Sequence, residues 1–290
     1  MTTAALTSFR SYLHHAGYGK TTCMMLPVCV GDFFSYCRTS FFEQIAPEHV
    51  MDFYRWLHVR PNRRRVGALS ESYIYQHIYA LRVFFGWLEE CGSLAVNPMN
   101  AVLIKPPKKS ERQPLSRDEI KSLFDACMSF RELSLLHLFY SCGLRREEAV
   151  RLDLRDMNFK KGLLFVRCGK GGKRRAVPMT ERVSGDMENY IRYERDPFGN
   201  GGAEAFMLNK RGMRMSGDCY IRLLKALLLR AQMEHSGYTL HHLRHSIATH
   251  LLENGLDLEE VREFLGHRHI ESTQVYVKVN EQQLKTMING

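Results

Sequence analysis

No apolar run in this sequence of 290 residues approaches the roughly 18 residues that a membrane-spanning helix needs. The first residues, MTTAALTSFRSYLHHAG, lack the basic stretch followed by an apolar core that marks a secretory signal. Internal repeats and low-complexity tracts are also missing. These absences argue against a membrane protein, a secreted protein or a repeat array, and we expect a cytoplasmic protein.

Paired cysteines are missing as well. Eight cysteines are scattered at positions 23, 29, 37, 91, 127, 142, 168 and 219, and none of them forms a CxxC pair. Several lie in apolar helical patterns. Buried reduced thiols are therefore a better interpretation than a disulfide framework or a zinc site.

Negative charge is in deficit, since 31 Asp and Glu residues face 41 Lys and Arg residues, for a formal net charge of +10. This balance favours a polyanionic partner. The hydrophobic and charged fractions, 44% and 25%, are ordinary for a globular protein. The length predicts two domains, each able to bury its own core.

Helical patterns run through residues 1–104, which are predicted to form an all-helical first domain. The second pattern, residues 21–37, has Thr21 or Thr22 as a possible N-cap. Pro27 lies inside this pattern and has no backbone N–H, which favours a helix that starts later.

A basic, proline-rich stretch, residues 105–115, is predicted to be an extended linker. Residues 116–290 then form a second domain. This domain is predicted to be mainly helical with one small β-hairpin, whose strands, residues 163–167 and 175–178, flank a turn of Gly and Lys. The fold class is therefore mainly α, with a small β element in the second domain.

A helix is predicted to begin near Thr239 and to end at Asn254-Gly255. Apolar residues recur along it at helical spacing and are predicted to form its buried side: Leu243, Ile247, Leu251 and Leu252. A second helix is predicted to follow and to end at Gly266 as a C-cap glycine.

The residues that suggest chemistry lie in four short stretches of the second domain. CGLRREE contains Arg145 and Glu148, GKGGKRR contains Lys170, HHLRH contains His241 and Arg244, and the segment from LGH onward contains His267 and Tyr276. Imidazole, guanidinium and phenol groups together suit work on a phosphodiester.

In their order and spacing, with Tyr276 nine residues after His267, these motifs resemble those of the tyrosine recombinase family, also called the phage integrase family. The resemblance is greatest to the compact Xer-type and mobile-element integrases and covers about residues 113 to 280. Residues 1–104 resemble the helical core-binding domain of the family more loosely.

Two positions depart from the family pattern. Leu240 stands where many members have proline, and His242 gives the HHLRH motif a second candidate histidine. The spacing from Arg244 favours His241 as the reactive one.

The resemblance implies a role for each matched residue. Members of the family use the matched positions as follows: Arg145 and Arg244 clamp the scissile phosphate, Lys170 lies on the hairpin turn, His241 and His267 are the two histidines, Tyr276 is the nucleophile and Glu148 is a supporting acid.

The chemistry of phosphodiester cleavage by a phenol also requires such groups, whatever the family. A phenol with a pKa near 10 is a poor nucleophile at neutral pH, and guanidinium groups stabilise both the phenolate and the charged phosphorane. A lysine can protonate the departing 5′-oxygen, and His241 could take the tyrosine proton. Because a covalent link to the enzyme stores the energy of the broken bond, neither ATP nor a metal is needed, and we expect no cofactor.

The resemblance further implies a two-domain, C-shaped clamp on double-stranded DNA that self-associates into a tetramer on two duplexes. A sister recombinase or an accessory protein is a further candidate partner. The expected function is site-specific recombination through a 3′-phosphotyrosyl intermediate, in DNA integration or excision or in dimer resolution. Basic residues predicted to contact the DNA are Arg63, Arg64, Arg65, Lys105, Lys108, Lys109, Lys173 and Arg174.

Two other functions share this fold. One is a catalytically silent DNA-binding factor, and the complete set of six catalytic residues argues against it. The other is a relaxing topoisomerase with the same chemistry and no site preference, and the compact length with a core-binding domain favours recombination instead.

A zinc site and a nucleotide-binding loop are two further interpretations of these motifs, and both have less support. His241 and His245, with His267 or His269, could hold zinc, but no HExxH glutamate is present and Arg244 would repel a dication. The GKGGKRR turn is not a GxxxxGK[ST] nucleotide loop and has no helix predicted after it.

Overall fold

The computed structural model describes residues 2–39, 41–62, 67–107, 113–167, 175–195 and 204–266. The chain divides into two compact units, Met1–Ser110 and Glu111–Gly290. In these described ranges no helix is both long and apolar enough to cross a membrane. The seven cysteines within them are free thiols, as predicted, but only Cys23, Cys29 and Cys142 are buried and Cys91 is exposed. Cys168 lies outside the described residues.

The first unit is helical, as the patterns predict. Its α-helices are α1 (Thr2–His15), α2 (Lys20–Cys37), α3 (Pro47–Val59) and α4 (Glu71–Glu90). Aromatic side chains dominate its core. Phe33 packs edge-on against Phe53 at 5.2 Å between ring centroids, and Phe84 and Phe85 of α4 are fully buried beside them. Burial of such large rings provides most of the driving force for packing these helices.

The start of α2 differs from the prediction in two ways. The helix begins at Lys20 after Gly19, with no side-chain cap, so neither Thr21 nor Thr22 is the N-cap. It also continues through Pro27, which lies inside the helix and is buried. Packing of the buried face of α2 outweighs the hydrogen bond that proline removes, since tertiary contacts override local propensity.

The second unit is mainly helical with one small sheet. Its α-helices are α5 (Arg117–Asp125), α6 (Phe130–Leu136), α7 (Arg146–Arg151), α8 (Glu181–Asn189), α9 (Gly217–Arg230), α10 (Leu240–Glu253) and α11 (Leu258–Leu265). Short π-helical segments follow α6 (His137–Ser141) and α8 (Tyr190–Arg195). The fold class is therefore mainly α with a small sheet, as predicted.

The sheet contains the predicted hairpin and one additional strand. Strands β1 (Met157–Asn158), β2 (Leu163–Val166) and β3 (Arg175–Pro178) are antiparallel and lie in that order. In the register of the hairpin, Val166 is opposite Arg175. Strand β1 is too short to show the alternation of apolar and polar residues that identifies a strand in a sequence.

The sequence GLRREEAVRLDLRDM predicts one continuous helix, but α7 is shorter than this. The helix ends at Arg151, and Leu152 has an extended backbone. The backbone N–H of Asp153 then donates to the carboxylate of Asp156 at 2.9 Å, which closes a separate 3-10 turn. Aspartate competes for backbone groups in this way and favours caps and turns over helix interiors.

Candidate active site

A tight turn places Arg145 at the start of α7. Gly143 in this turn has a φ of +57°, and a Cβ added there would lie 2.7 Å from Cδ2 of Leu265 on α11. Only glycine satisfies both the left-handed backbone and the close approach. Arg145 follows as the N-cap residue of α7 with an extended backbone. The turn therefore presents Arg145 next to the end of α11.

Glu148 fixes this turn from within α7. Its Oε2 accepts a hydrogen bond from the backbone N–H of Arg145 at 2.9 Å, and its Oε1 accepts one from Nη1 of the same arginine at 2.9 Å. The Glu148 side chain is 2% exposed, and the Arg145 side chain keeps 27% of its surface exposed. The predicted pair therefore lies together, with the cation at the surface and the carboxylate beneath it.

Helix α10 supplies Arg244 from its buried side. Leu243, Ile247 and Leu251 are buried as predicted, whereas Leu252, predicted with them, is 42% exposed. Arg244 is buried on this helix, and it donates to the carbonyl oxygen of Gly143 and, at 2.6 Å, to that of Leu265. Two arginines from distant parts of the chain thus reach the same turn.

The histidines of α10 have different surroundings. His242 is half-buried, and its Nδ1 lies 3.2 Å from the backbone nitrogen and 2.9 Å from the Oγ1 of Thr239, which closes the start of the helix. His241 and His245 are exposed, while buried His250 bonds to the hydroxyl of Tyr140 at 3.0 Å. His242 therefore acts as a helix cap, while His241 lies exposed three residues before Arg244.

The C-terminal end of α11 gathers the guanidinium groups of this site. The carbonyl oxygen of Leu265 accepts from Arg244, and that of Gly266 accepts from Nη2 of Arg145 at 3.3 Å. Gly266 is the predicted C-cap residue, with a φ of +67°. Cations near a helix C-terminus interact favourably with the partial negative charge of its free carbonyls. The arrangement therefore holds several positive charges in one small volume.

The charges of the site shift two pKa values strongly. Burial raises the pKa of Glu148, but the hydrogen bonds and charge of Arg175, with help from Arg145, outweigh it and lower the pKa to about 2. Burial, together with the charges of Arg145 and Arg175, lowers the pKa of Arg244 to about 9. At neutral pH Glu148 is therefore ionised and Arg244 is still protonated, so the cluster keeps a net positive charge.

Arg175 is the member of this cluster that sequence analysis missed. It begins β3 on the buried face of the strand, beside Val177 in the alternation, and two of its nitrogens bond to the carboxylate of Glu148. An arginine on the inward face of a predicted strand is the one signal that could have identified it, since such a charge needs a buried partner.

Several predicted site residues lie outside the described residues. These are Lys170, His267, Tyr276, Arg63, Arg64, Arg65, Lys108, Lys109, Lys173 and Arg174. Lys105 is described and is exposed. The structure therefore brings together Arg145, Glu148 and Arg244, with His241 three residues before Arg244 on α10.

Metal binding has no support from the part of the chain that is described. Within those residues no group of three or more His, Cys, Asp or Glu side chains is placed to hold a metal ion. His267 and His269, the other zinc ligands considered from the sequence, lie outside that part.

Comparison with known proteins gives a consistent result. Residues 113–283 match the model of the phage integrase family. The chain is 38% identical over 227 residues to the tyrosine recombinase XerD of Oceanobacillus iheyensis, covering 75% of each protein. It is 31% identical over 285 residues to the tyrosine recombinase XerA of Pyrococcus furiosus, covering 98% of this chain and 92% of that protein.

A solved structure shows a similar fold. The Tn1549 transposon integrase, residues 82–397 in complex with circular intermediate DNA, aligns with a TM-score of 0.70 and 18% identity, covering 92% of each chain. The likeness extends over most of the chain, so the element order and the small sheet described above are those of a known fold.

Proposed function

The chain belongs to the phage integrase family, and from this we propose that Arg145 and Arg244 bind the scissile phosphate of duplex DNA while Tyr276 attacks it. Family membership and the matches to XerD and XerA make the protein a site-specific DNA recombinase. One observation supports the assignment of roles most directly. The two family-matched arginines meet at the end of α11, next to the residue that precedes His267.

In the proposed reaction the phenol oxygen of Tyr276 forms a bond to phosphorus while the bond from phosphorus to the 5′-oxygen breaks. His241 takes the phenol proton, and Lys170 gives a proton to the departing 5′-oxygen. The products are a 3′-phosphotyrosyl link and a free 5′-hydroxyl. Attack by a 5′-hydroxyl on that link reverses every step, which rejoins a strand without ATP or a metal.

The geometry of the arginines suits this reaction. Arg145 keeps part of its guanidinium exposed, so a phosphate can reach it from the surface. Arg244 is 4% exposed, and a buried cation acts on the developing phosphorane charge through little intervening water. His267 would follow Gly266 directly and could donate to a phosphoryl oxygen.

Additional positive charge for binding DNA lies around α9. Four cations line a cavity of about 800 Å³ between α6, α9 and the loop before α9: Arg131, Lys210, Arg211 and Arg222. Three of them, Lys210, Arg211 and Arg222, are exposed. We assign them to phosphate contacts, together with Lys105 and the basic residues predicted from the sequence, since most contacts of such proteins go to the backbone of the nucleic acid.

We further propose that four protomers act on two duplexes in the cytoplasm, where the DNA substrate would be. Structural relatives support DNA as the partner, because the Tn1549 integrase was solved with circular intermediate DNA and a lambda integrase dimer with a core site. Integration, excision and dimer resolution all use the same strand chemistry, so the role in the cell depends on the target site.

The test begins with a site that the protein selects from a pool of random duplexes. A nicked version of this site loses a short fragment after cleavage and traps the covalent complex. Wild type is expected to form the adduct, and Tyr276→Phe is expected to bind the same DNA without forming it. Arg145→Ala should lower adduct formation by about 100-fold or more with a much smaller loss of binding.

Other outcomes would reject the proposal. An adduct with Tyr276→Phe would assign the nucleophile elsewhere. Binding without cleavage by wild type would indicate a silent DNA-binding factor, and relaxation of supercoiled DNA without any selected site would indicate a topoisomerase.

A further inference from the structure

We infer that Arg175 is a positioning residue for strand cleavage, which joins the hairpin carrying Lys170 to Glu148 and to the end of α11. The inference rests on the proposed roles of Lys170 and His267. Arg175 is 6% exposed, and the Glu148 side chain beneath it is 2% exposed. The more exposed Arg145 is available to a phosphate, so Arg175 acts through other residues.

Each nitrogen of the Arg175 guanidinium has a partner. Nη1 and Nη2 donate to the two carboxylate oxygens of Glu148 at 3.0 and 2.8 Å, and Nε donates to the carbonyl oxygen of Phe264 at 3.1 Å. The group also lies against Gly266, where an added Cβ would be 2.8 Å from Nη1. One side chain on β3 therefore bonds to α7 and α11 at the same time.

This position bears on two catalytic residues. Lys170 precedes Arg175 by five residues in the connection from β2 to β3, and His267 follows Gly266. Arg175 thus fixes the strand that follows the segment containing Lys170 and the backbone up to Gly266, which precedes His267. Positioning of this kind affects reaction rates strongly, because small displacements of a reacting group are costly.

The charge of Arg175 has a second effect. Glu148 also faces Arg145 and, at 3.9 Å, Arg244. The two bonds from Arg175 neutralise much of its carboxylate charge, so Arg145 and Arg244 keep more of their positive potential for a phosphate. Lysine cannot replace Arg175 here, because a single ammonium group lacks the planar fork that serves both oxygens and a carbonyl.

The experiment compares two nicked substrates on the selected site, one normal and one with sulfur in place of the departing 5′-oxygen. Sulfur leaves as a thiolate and needs no proton, so a defect in proton donation disappears with it. Lys170→Ala is the reference for such a defect. On the normal substrate Arg175→Lys is expected to cleave about 30-fold more slowly than wild type, with its Kd for DNA changed by less than about 3-fold.

We assign most of the Arg175→Lys defect to a displaced Lys170 and only the remainder to His267. On the sulfur substrate this defect is therefore expected to shrink below about 5-fold, in parallel with Lys170→Ala. Arg167→Lys is the matched control, since Arg167 follows β2, is 46% exposed and pairs with Asp156. It should cleave both substrates like wild type. In an Arg175→Gln background, adding Glu148→Gln should restore part of the lost rate, because no buried carboxylate then lacks the two bonds that Arg175 supplies.

Wild-type rates for Arg175→Lys on both substrates, or equal defects on both, would overturn the inference. If Arg175→Lys fails to fold, the Arg175→Gln/Glu148→Gln double variant replaces it, because it removes both partners of the buried pair together. That variant must show the same difference between substrates. Failure of wild type to form an adduct, or of Lys170→Ala to recover on sulfur, would instead reject the proposed function.

Discussion

Nη2 of Arg244 donates to the carbonyl oxygen of Leu265 at 2.6 Å, which links the middle of α10 to the last residue of α11. The same guanidinium donates to the carbonyl oxygen of Gly143 in the turn before α7. Arg244 is therefore a structural link as well as a proposed ligand of the phosphate, and its two roles respond differently to substitution.

Arg244→Lys separates the two roles by keeping the charge and removing the fork. The shorter lysine side chain lacks the planar fork that directs one nitrogen to each carbonyl, and an unpaired buried carbonyl costs about 1–3 kcal/mol. Adduct formation is expected to fall by about 100-fold, as on loss of one donor to a developing oxyanion. Single-turnover cleavage and thermal unfolding measure the two effects.

Arg262→Lys is the control for this variant. Arg262 lies on α11, is 47% exposed and pairs with Glu259, and exposed pairs of this kind contribute roughly 0–1 kcal/mol. Cleavage and unfolding temperature should both match wild type. If Arg244→Lys also cleaved at the wild-type rate, the planar fork of Arg244 would have no part in the reaction.

Gly143→Ala should damage the site through the backbone. The positive φ alone costs a residue with a Cβ roughly 1–2 kcal/mol, and the added atom meets Leu265 at 2.7 Å. Since Arg145 leaves this turn, we expect lower stability together with slower cleavage. The free energy of unfolding in urea and the rate of adduct formation measure both.

Gly185→Ala provides the matched control within the same unit. Gly185 lies inside α8, and an added Cβ there meets no atom within 4 Å. Alanine is favoured over glycine in a helix by roughly 0.5–1 kcal/mol, so this variant should be more stable and cleave normally. Equal changes in unfolding free energy and cleavage rate for Gly143→Ala and Gly185→Ala would show that the Gly143 turn has no special role in the site.

Local signals in the sequence identified the parts of the site that depend on short-range interactions. Gly266 ends α11 in the left-handed conformation, as predicted. Ser116 caps α5 with its Oγ accepting from the backbone N–H of Glu119 at 3.2 Å, and a serine just before acidic residues is an equally local signal of a helix start. The two caps need only a few neighbouring residues to be recognised. Arg145, Glu148 and Arg244 were predicted together because their motifs resemble those of the family in order and spacing, and the structure places the three side chains close to one another.

Long-range packing explains what the sequence did not show. The bond between Arg175 and Glu148 joins residues far apart in the chain, and nothing near Arg175 names its partner. The passage of α2 through Pro27 likewise depends on the core around the helix, which overrides the local preference. Strand β1 has only two residues, Met157 and Asn158, and it exists because β2 pairs with it.

Lys210→Ala should weaken binding to DNA of any sequence by about the same factor. Lys210 is exposed beside the cavity of α9, and each phosphate contact contributes about 0.9 to the slope of log affinity against log salt on duplex DNA. We therefore expect the magnitude of this salt-dependence slope to decrease by about 0.9 for selected and random duplexes alike. Titrations at several salt concentrations measure it.

Lys121→Ala on α5 is the comparison, because Lys121 is also exposed but does not line the cavity. Its slope should equal that of wild type. A Lys210→Ala slope equal to wild type would place the DNA away from this cavity. A loss confined to the selected site would instead indicate a contact to a base.

Glu148 should make the free energy of unfolding depend on pH in the acidic range. Its pKa is about 2 in the folded protein, against a value of 4.5 for a free side chain. Because the folded pKa is the lower one, the stabilisation is complete above about pH 5 and is lost as the pH falls through about 2. The shift corresponds to about 3 kcal/mol, at about 1.4 kcal/mol for each pKa unit.

Glu148→Gln carries no titrating group at this position and isolates the effect. Between pH 5 and pH 2 the free energy of unfolding of wild type should fall more steeply than that of the variant, by up to about 3 kcal/mol in total. Urea unfolding at a series of pH values measures both curves. Parallel curves would mean that the bonds from Arg175 and Arg145 do not lower the pKa of the Glu148 carboxylate, which would contradict the charge cluster described at the end of α11.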